Sequence, residues 1–294
     1  MVLDNFLTLA LLTATLRMTT PLLFTALGGL LSERSGVINI ALEGLMLIGA
    51  FGAAAGSHYT GNALLGLGIG LLAAGLAATV FALWCITFKG DQIIAGTAIN
   101  LLGISIPAFL LQRLFGISGR SPTVDQLPRF TSSLSILVPF AFLLVPVVWY
   151  ILFRTRSGLR VMAAGEHPRA AESVGIPVSR YRYAAVISSG FLAGLGGASL
   201  SIGDLSFFTT NMTQGRGFIA LAAVIFGNWS PFGTLAATLL FGAAQAVQIQ
   251  SQALGLPISQ DLLVALPYAL TLLAIAGLLR NSLPPAGLGR HAVD

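Results

Sequence analysis

Glu43 is an acid within an apolar run, Asn39 stands four residues before it, and Asn100, Gln245 and Gln248 are amides in similar surroundings. Such groups offer hydrogen-bond donors and acceptors to a polar solute, and neutral amides do so without fixed charge. If residues 37–56 form one helix, Asn39 and Glu43 share a face, with Glu43 roughly 10 Å beyond Gly36. Gln245, Gln248 and Gln252 also share a face, a polar stripe suited to lining a solute path. The structural alternative stays open beside this one. Glu43 would then cap a packing contact through a Ser, Thr or Arg, with Arg17 one partner, and the amides would join helices at about 1 kcal/mol or less per bond. Asp261, beside Ser259, reads as a helix N-cap rather than a proton carrier.

The elements that must hold these side chains are long apolar runs. Of 294 residues, 55% are hydrophobic and 9% charged, with 34 glycines and a mean hydropathy of +0.88. Soluble domains carry about 25% charged residues, so this chain belongs in lipid and a water-soluble enzyme is excluded. A bilayer core of about 30 Å needs roughly twenty apolar residues per helix. Nine runs approach that: residues 6–31, 37–56, 64–88, 93–114, 134–153, 183–202, 217–227, 232–252 and 262–279. The expected fold is therefore an all-α polytopic transmembrane bundle of about nine spans in a single domain, 1–294. The seventh run is too short to cross and, with Asn228 to Pro231 after it, suits a broken helix. The first lacks a basic leader and reads as a retained span rather than a signal peptide. Gly52 with Gly56, Gly66 with Gly70 and Gly190 with Gly194 are spaced for close helix contact. Residues 35–41 and 216–222 share three of seven positions and would enter the membrane from opposite sides, as in an inverted repeat.

Sidedness follows from arginine, because basic connections stay in the cytoplasm. Residues 154–182 hold Arg154, Arg156, Arg160, Arg169, Arg180 and Arg182, and counting spans outward puts ten of the fifteen basic residues on that side. The C-terminus falls inside, whereas the loop at 204–214 and the N-terminus fall outside. The net charge of +5 thus reads as topology and not as nucleic-acid binding. A single cysteine, Cys85, excludes an intrachain disulfide and a CxxC motif.

No GxxxxGK[ST] loop, GxSxG elbow or HExxH pair occurs, and His58, His167 and His291 fall in separate loops, so neither a metal nor a cofactor is implied. If the protein pumps, another chain hydrolyses the ATP. The 154–182 loop gives that chain a place to act. Residues 165–177 predict a short helix, with Pro168 in its first turn and Gly175 as its stop.

Residues 165–177 resemble the coupling-helix loop of bacterial ABC importer permeases, the group serving branched-chain amino acids, ribose and other simple sugars, and nucleosides. Residues 31–44, Leu-Ser-Glu-Arg-Ser-Gly-Val-Ile-Asn-Ile-Ala-Leu-Glu-Gly, are similar to that group's N-terminal signature, and residues 217–222 to its later one. With residues 91–96, Asp-Gln-Ile-Ile-Ala-Gly, they look most like the shorter permease of the nucleoside and simple-sugar branch.

The resemblance implies a permease subunit in the bacterial cytoplasmic membrane. It would pair with a second, unlike permease, an ATP-binding cassette ATPase and an extracytoplasmic solute-binding protein. It also implies that Arg169, Ala170, Ala171, Glu172 and Gly175 dock in a groove of the ATPase, driving alternating access for nucleosides or related simple sugars. The competing expectations are an ion-coupled secondary transporter using Glu43 and Asp261, or a permease for ribose or branched-chain amino acids.

Overall fold

A computed structural model describes residues 9–131, 133–253 and 283–290. Asp261 and the ninth run, 262–279, lie outside the described residues, as do Ser259, Arg280 and His291. The described chain is helical throughout its interior: α1 Leu9–Arg34, α2 Leu42–Thr60, α3 Ala63–Ala82, α4 Gln92–Phe115, α5 Leu137–Arg154, α6 Arg156–Glu166, α7 Pro168–Ser173, α8 Val178–Ala198, α9 Arg216–Phe226 and α10 Pro231–Ala253. Five-residue and six-residue π-helical turns, Leu83–Thr87 and Ser199–Asp204, extend α3 and α8. The only described sheet is a two-stranded ribbon, β1 Arg129–Thr131 and β2 Leu134–Ser135.

Local chemistry sets the helix ends. Asn62 accepts hydrogen bonds from the N–H groups of Leu64 and Leu65, and Asp91 from those of Ile93 and Ile94, so each caps the helix it precedes. Gly61 and Gly116 stop α2 and α4 in left-handed conformations, at φ 61° and 67°.

Helix α2 runs through the middle of the bundle and is buried almost all round. Its glycines set the packing, because each faces a different neighbour. A Cβ on Gly52 would lie 3.0 Å from the Cα of Gly70, one on Gly56 3.0 Å from that of Gly66, and one on Gly49 2.5 Å from that of Gly194. The small-residue spacings in the sequence are thus real helix contacts, formed where backbones approach closely without side chains between them. The outward faces of α3 and α4 stay apolar and exposed, with Leu72, Leu76, Leu101 and Phe109 among them.

Six described helices are long and apolar enough to cross a membrane. The expected nine are therefore not all recovered. The second run becomes α2, which carries Glu43 and His58 at its ends, and the seventh is the eleven-residue α9. The two ends of the bundle are distinct. At one lie Arg34, Glu166 and Arg182; at the other Arg17 pairs with Asp204 and the Ser57 hydroxyl donates to the carbonyl of Asp125.

Candidate functional site

The second run does not start as a helix. Residues 35–41 are irregular and α2 begins at Leu42, so Asn39 and Glu43 do not share a helical face as expected. The cause is local. Gly36 adopts φ +94° and passes so close to Arg182 and Gly165 that a Cβ would lie 2.9 and 3.2 Å from them. The β-branched Val37 and Ile38 that follow disfavour a helical nucleus.

Backbone that leaves a helix inside a membrane needs partners for every N–H and C=O. Side chains of α1 and α4 supply several of them. The Ser32 hydroxyl donates to the Val37 carbonyl at 2.8 Å, and Gln92 Oε1 accepts from the Ile38 N–H at 2.8 Å. Asn100 spans the junction itself: its Nδ2 donates to the Ile40 carbonyl at 2.9 Å, and its Oδ1 accepts from the Gly44 N–H at 2.7 Å. Asn39 is fully buried and donates to the Ser189 hydroxyl at 2.8 Å.

Glu43, in the first turn of α2, meets the first turn of α9. Its Oε1 accepts from the Gly215 N–H at 2.8 Å and from the Thr213 hydroxyl, and its Oε2 accepts from the Gly217 N–H at 2.7 Å. A carboxylate placed between two helix N-termini is favoured by both dipoles and satisfies N–H groups that have no partner within the helix. The expected partner Arg17 is engaged elsewhere, 3.0 Å from Asp204. Helix α9 is about 16 Å long. It runs from Glu43 back toward Arg34, where the Trp229 indole donates to Glu33 and Arg34 Nε donates to the Trp229 carbonyl at 2.7 Å. Asn228 and Trp229, at φ 51° and 48°, make the sharp break before α10. The broken seventh span is therefore real. The echo between residues 35–41 and 216–222 pairs irregular backbone with helix; what meets in space is the start of α2 and the start of α9.

Among the glutamines, Gln245 is buried with its Oε1 unpartnered among the described residues, Gln248 is half-buried and Gln252 is exposed. Nearby, α10 presses on α1, where a Cβ on Gly242 would lie 2.1 Å from the Thr19 hydroxyl.

At the Arg34 end, the short helix α7 forms where the sequence predicts it, with Pro168 at its first turn and Gly175 at φ +81° after its end. Arg169, Ala170, Glu172 and Gly175 are exposed. Ala171 is instead turned inward, packed with Ala164 and Val178 in a small apolar cluster, so it anchors the helix and leaves its neighbours to face outward. Buried Arg182 ties this arm to the bundle: Nε donates to the Ser35 carbonyl at 3.1 Å, and Nη1 to the Arg290 carbonyl at 2.8 Å. Sequence reading missed Gln92, Ser189, Thr213 and Arg182 as holding residues. Only the polarity of Gln92 at a helix start and of Ser189 within an apolar run hinted at them.

These features define a polytopic membrane protein with broken helices at its centre and a surface helix on a basic arm. The family described as branched-chain amino acid transport system / permease component matches residues 11–275, and the chain belongs to it. It is 37% identical over 307 residues to the guanosine ABC transporter permease protein NupQ of Bacillus subtilis, covering 94% of each chain. It is 34% identical over 293 residues to the nucleoside ABC transporter permease protein NupC of Lactococcus lactis, covering 92% of each. A solved structure, PsaBC from Streptococcus pneumoniae in complex with Fab, shares the fold at a TM-score of 0.53 and 14% identity, over 95% of this chain and 96% of that one.

Proposed function

We propose that this chain is the membrane-spanning subunit of an ATP-driven importer of nucleosides or related simple sugars. In this reading it sits in a bacterial cytoplasmic membrane with the Arg34 end and the C-terminus inside. ATP hydrolysis falls to a partner ATPase, a second permease completes the path, and an extracytoplasmic binding protein delivers the solute at the Arg17 end. The observation that carries the mechanism is a line of contacts from the exposed α7: Ala171 packs on Ala164 of α6, whose carbonyl accepts from Arg182 at 3.5 Å, and Arg182 also donates to the Ser35 carbonyl at the head of the irregular segment that leads to Glu43. A push on α7 therefore has a direct mechanical route to the start of α9. The similarity to the guanosine permease NupQ and the nucleoside permease NupC supports the nucleoside class.

Within this reading the expected path residues divide. Gln245, whose Oε1 has no partner among the described residues, and the half-buried Gln248 share one face of α10 and suit contact with a polar, uncharged solute. Asn39, Glu43 and Asn100 hold the helix breaks that border the path. A proton carrier would have to release its donors on protonation, and Glu43, bound by three, suits a pin instead. In the docking helix Arg169, Ala170 and Glu172, and Gly175 just beyond its end, face the ATPase while Ala171 seats the helix.

Charge reversal tests the coupling. Arg169→Glu and Glu172→Arg, in the complete transporter, should abolish ATP-driven uptake while the protein reaches the membrane in normal amount. Wild-type uptake in both variants would contradict the assignment.

A further inference from the structure

Residues 286–290 lie against the end of α6 and the start of α7 although more than a hundred residues separate them in sequence. The Gly287 N–H donates to the Gly165 carbonyl at 2.8 Å and the Gly289 N–H to the Gly36 carbonyl at 3.0 Å. The Ala286 N–H donates to Glu166 Oε2 at 3.0 Å, and Arg182 holds the Arg290 carbonyl. The contact is close enough that a Cβ on Gly287 would lie 2.7 Å from the Gly165 carbonyl oxygen and 3.0 Å from Pro168 Cδ. Between this strap and the start of α7 lies a cleft of about 400 Å³, walled by residues 166–170 on one side and by Ala286, Gly287 and Arg290 on the other.

The charges of that cleft are unbalanced. Among the described residues Glu166 is its one acidic lining residue, and both its oxygens are used within the fold, Oε2 by the Ala286 N–H and Oε1 by Arg34 at 3.6 Å. The Arg169 and Arg290 side chains are exposed, and neither forms an ion pair among the described residues. Glu172 is on the same helix but does not line the cleft. The walls thus present two guanidinium groups, whose planar donors match a carboxylate.

We propose that the strap and α7 form one composite docking surface for the ATPase, and that the cleft receives an acidic side chain of that subunit between Arg169 and Arg290. This rests on α7 being the ATPase-docking helix. The arrangement has a mechanical consequence, because the strap bonds directly to Gly36, at the start of the irregular segment. Movement of the docked side chain reaches the helix break by two routes, through Arg182 and through Gly289.

The test is retention of the ATPase on the complete transporter purified from membranes, together with ATP-driven uptake, for Arg290→Glu, Arg290→Lys, Gly287→Val and Arg169→Glu. Arg290→Glu should weaken ATPase retention roughly tenfold, the scale of a lost charge pair at an interface. Lysine, which keeps the charge but not the planar fork, should fall between wild type and the reversal, and Gly287→Val, which unseats the strap, should match the reversal. Wild-type retention in Arg290→Glu overturns the proposal. If Arg169→Glu still weakens retention in that case, the docking helix stands and the strap alone falls; if it too binds normally, the reading of α7 falls with it.

Discussion

The carboxylate of Glu43 accepts a hydrogen bond from the backbone N–H of Gly217, 174 residues further along the chain, at 2.7 Å. One side chain thereby ties the helix that follows one irregular segment to the helix that follows the other. Residues 35–41 are held at the Arg34 end by Arg182 and Gly289. Residues 205–215 are held at the opposite end, where the Ser121 N–H donates to the Phe208 carbonyl and the Val124 N–H to that of Ser206, both at 2.8 Å. Glu43 is where the two meet.

Removing that pin should cost stability. Glu43→Ala strands the part-buried N–H of Gly215 and the buried N–H of Gly217, at about 1–3 kcal/mol for a buried unsatisfied group and less for the partly exposed one. Glu43→Gln retains one acceptor oxygen and should fall between. Thermal unfolding of the purified protein in detergent checks the order wild type, Gln, Ala, and an alanine variant as stable as wild type would contradict the role.

Asn100 serves both a carbonyl and an N–H at the start of α2, so Asn100→Leu should destabilise by about 2–6 kcal/mol, the sum of two lost partners. Thr97, one turn earlier on α4, is exposed and bonds only to its own helix at Ile93. Thr97→Leu should be near neutral in the same unfolding measurement. Equal effects at the two positions would contradict a special role for the junction.

Helix contacts give a steeper contrast. A Cβ on Gly197 would lie 1.9 Å from the Met46 carbonyl oxygen, whereas one on Gly68 meets nothing within 4 Å. Gly197→Val should abolish accumulation of folded protein in the membrane, and Gly68→Ala should leave it unchanged. Folded yield, read by size-exclusion profile, separates the two.

Arg17 and Asp204 pair at 3.0 Å at the end where solute is proposed to arrive. Arg17→Asp alone places two acids together and should lower uptake several-fold, because like charges at such distance repel. The double change Arg17→Asp with Asp204→Arg restores the pair and should recover part of the loss. No recovery in the swapped variant would show that each side chain acts through another contact.

The bundle was legible because composition and run length constrain a membrane chain so tightly. Glycine spacing was legible too, since Gly52, Gly56, Gly66 and Gly70 now lie backbone to backbone. The start of α2 was not, because Val37, Ile38 and Ile40 continue an apolar run as smoothly as a helix would. Only Gly36 followed by β-branched residues signalled a break. Glu43 stood out as a costly acid, yet two of its three partners are backbone N–H groups, which no residue type announces. Ala171 was placed on the docking face by resemblance; one turn of helix decides facing, and its methyl points inward.

The activity proposed for this chain is ATPase-driven movement of nucleosides. Uptake of a labelled nucleoside by cells carrying the complete transporter, with the ATPase intact or inactivated and with unlabelled ribose, galactose or leucine as competitors, tests it most directly. The account predicts uptake that vanishes with the ATPase and that none of the three competitors blocks. Uptake that persists without the ATPase and collapses with an ionophore would contradict it.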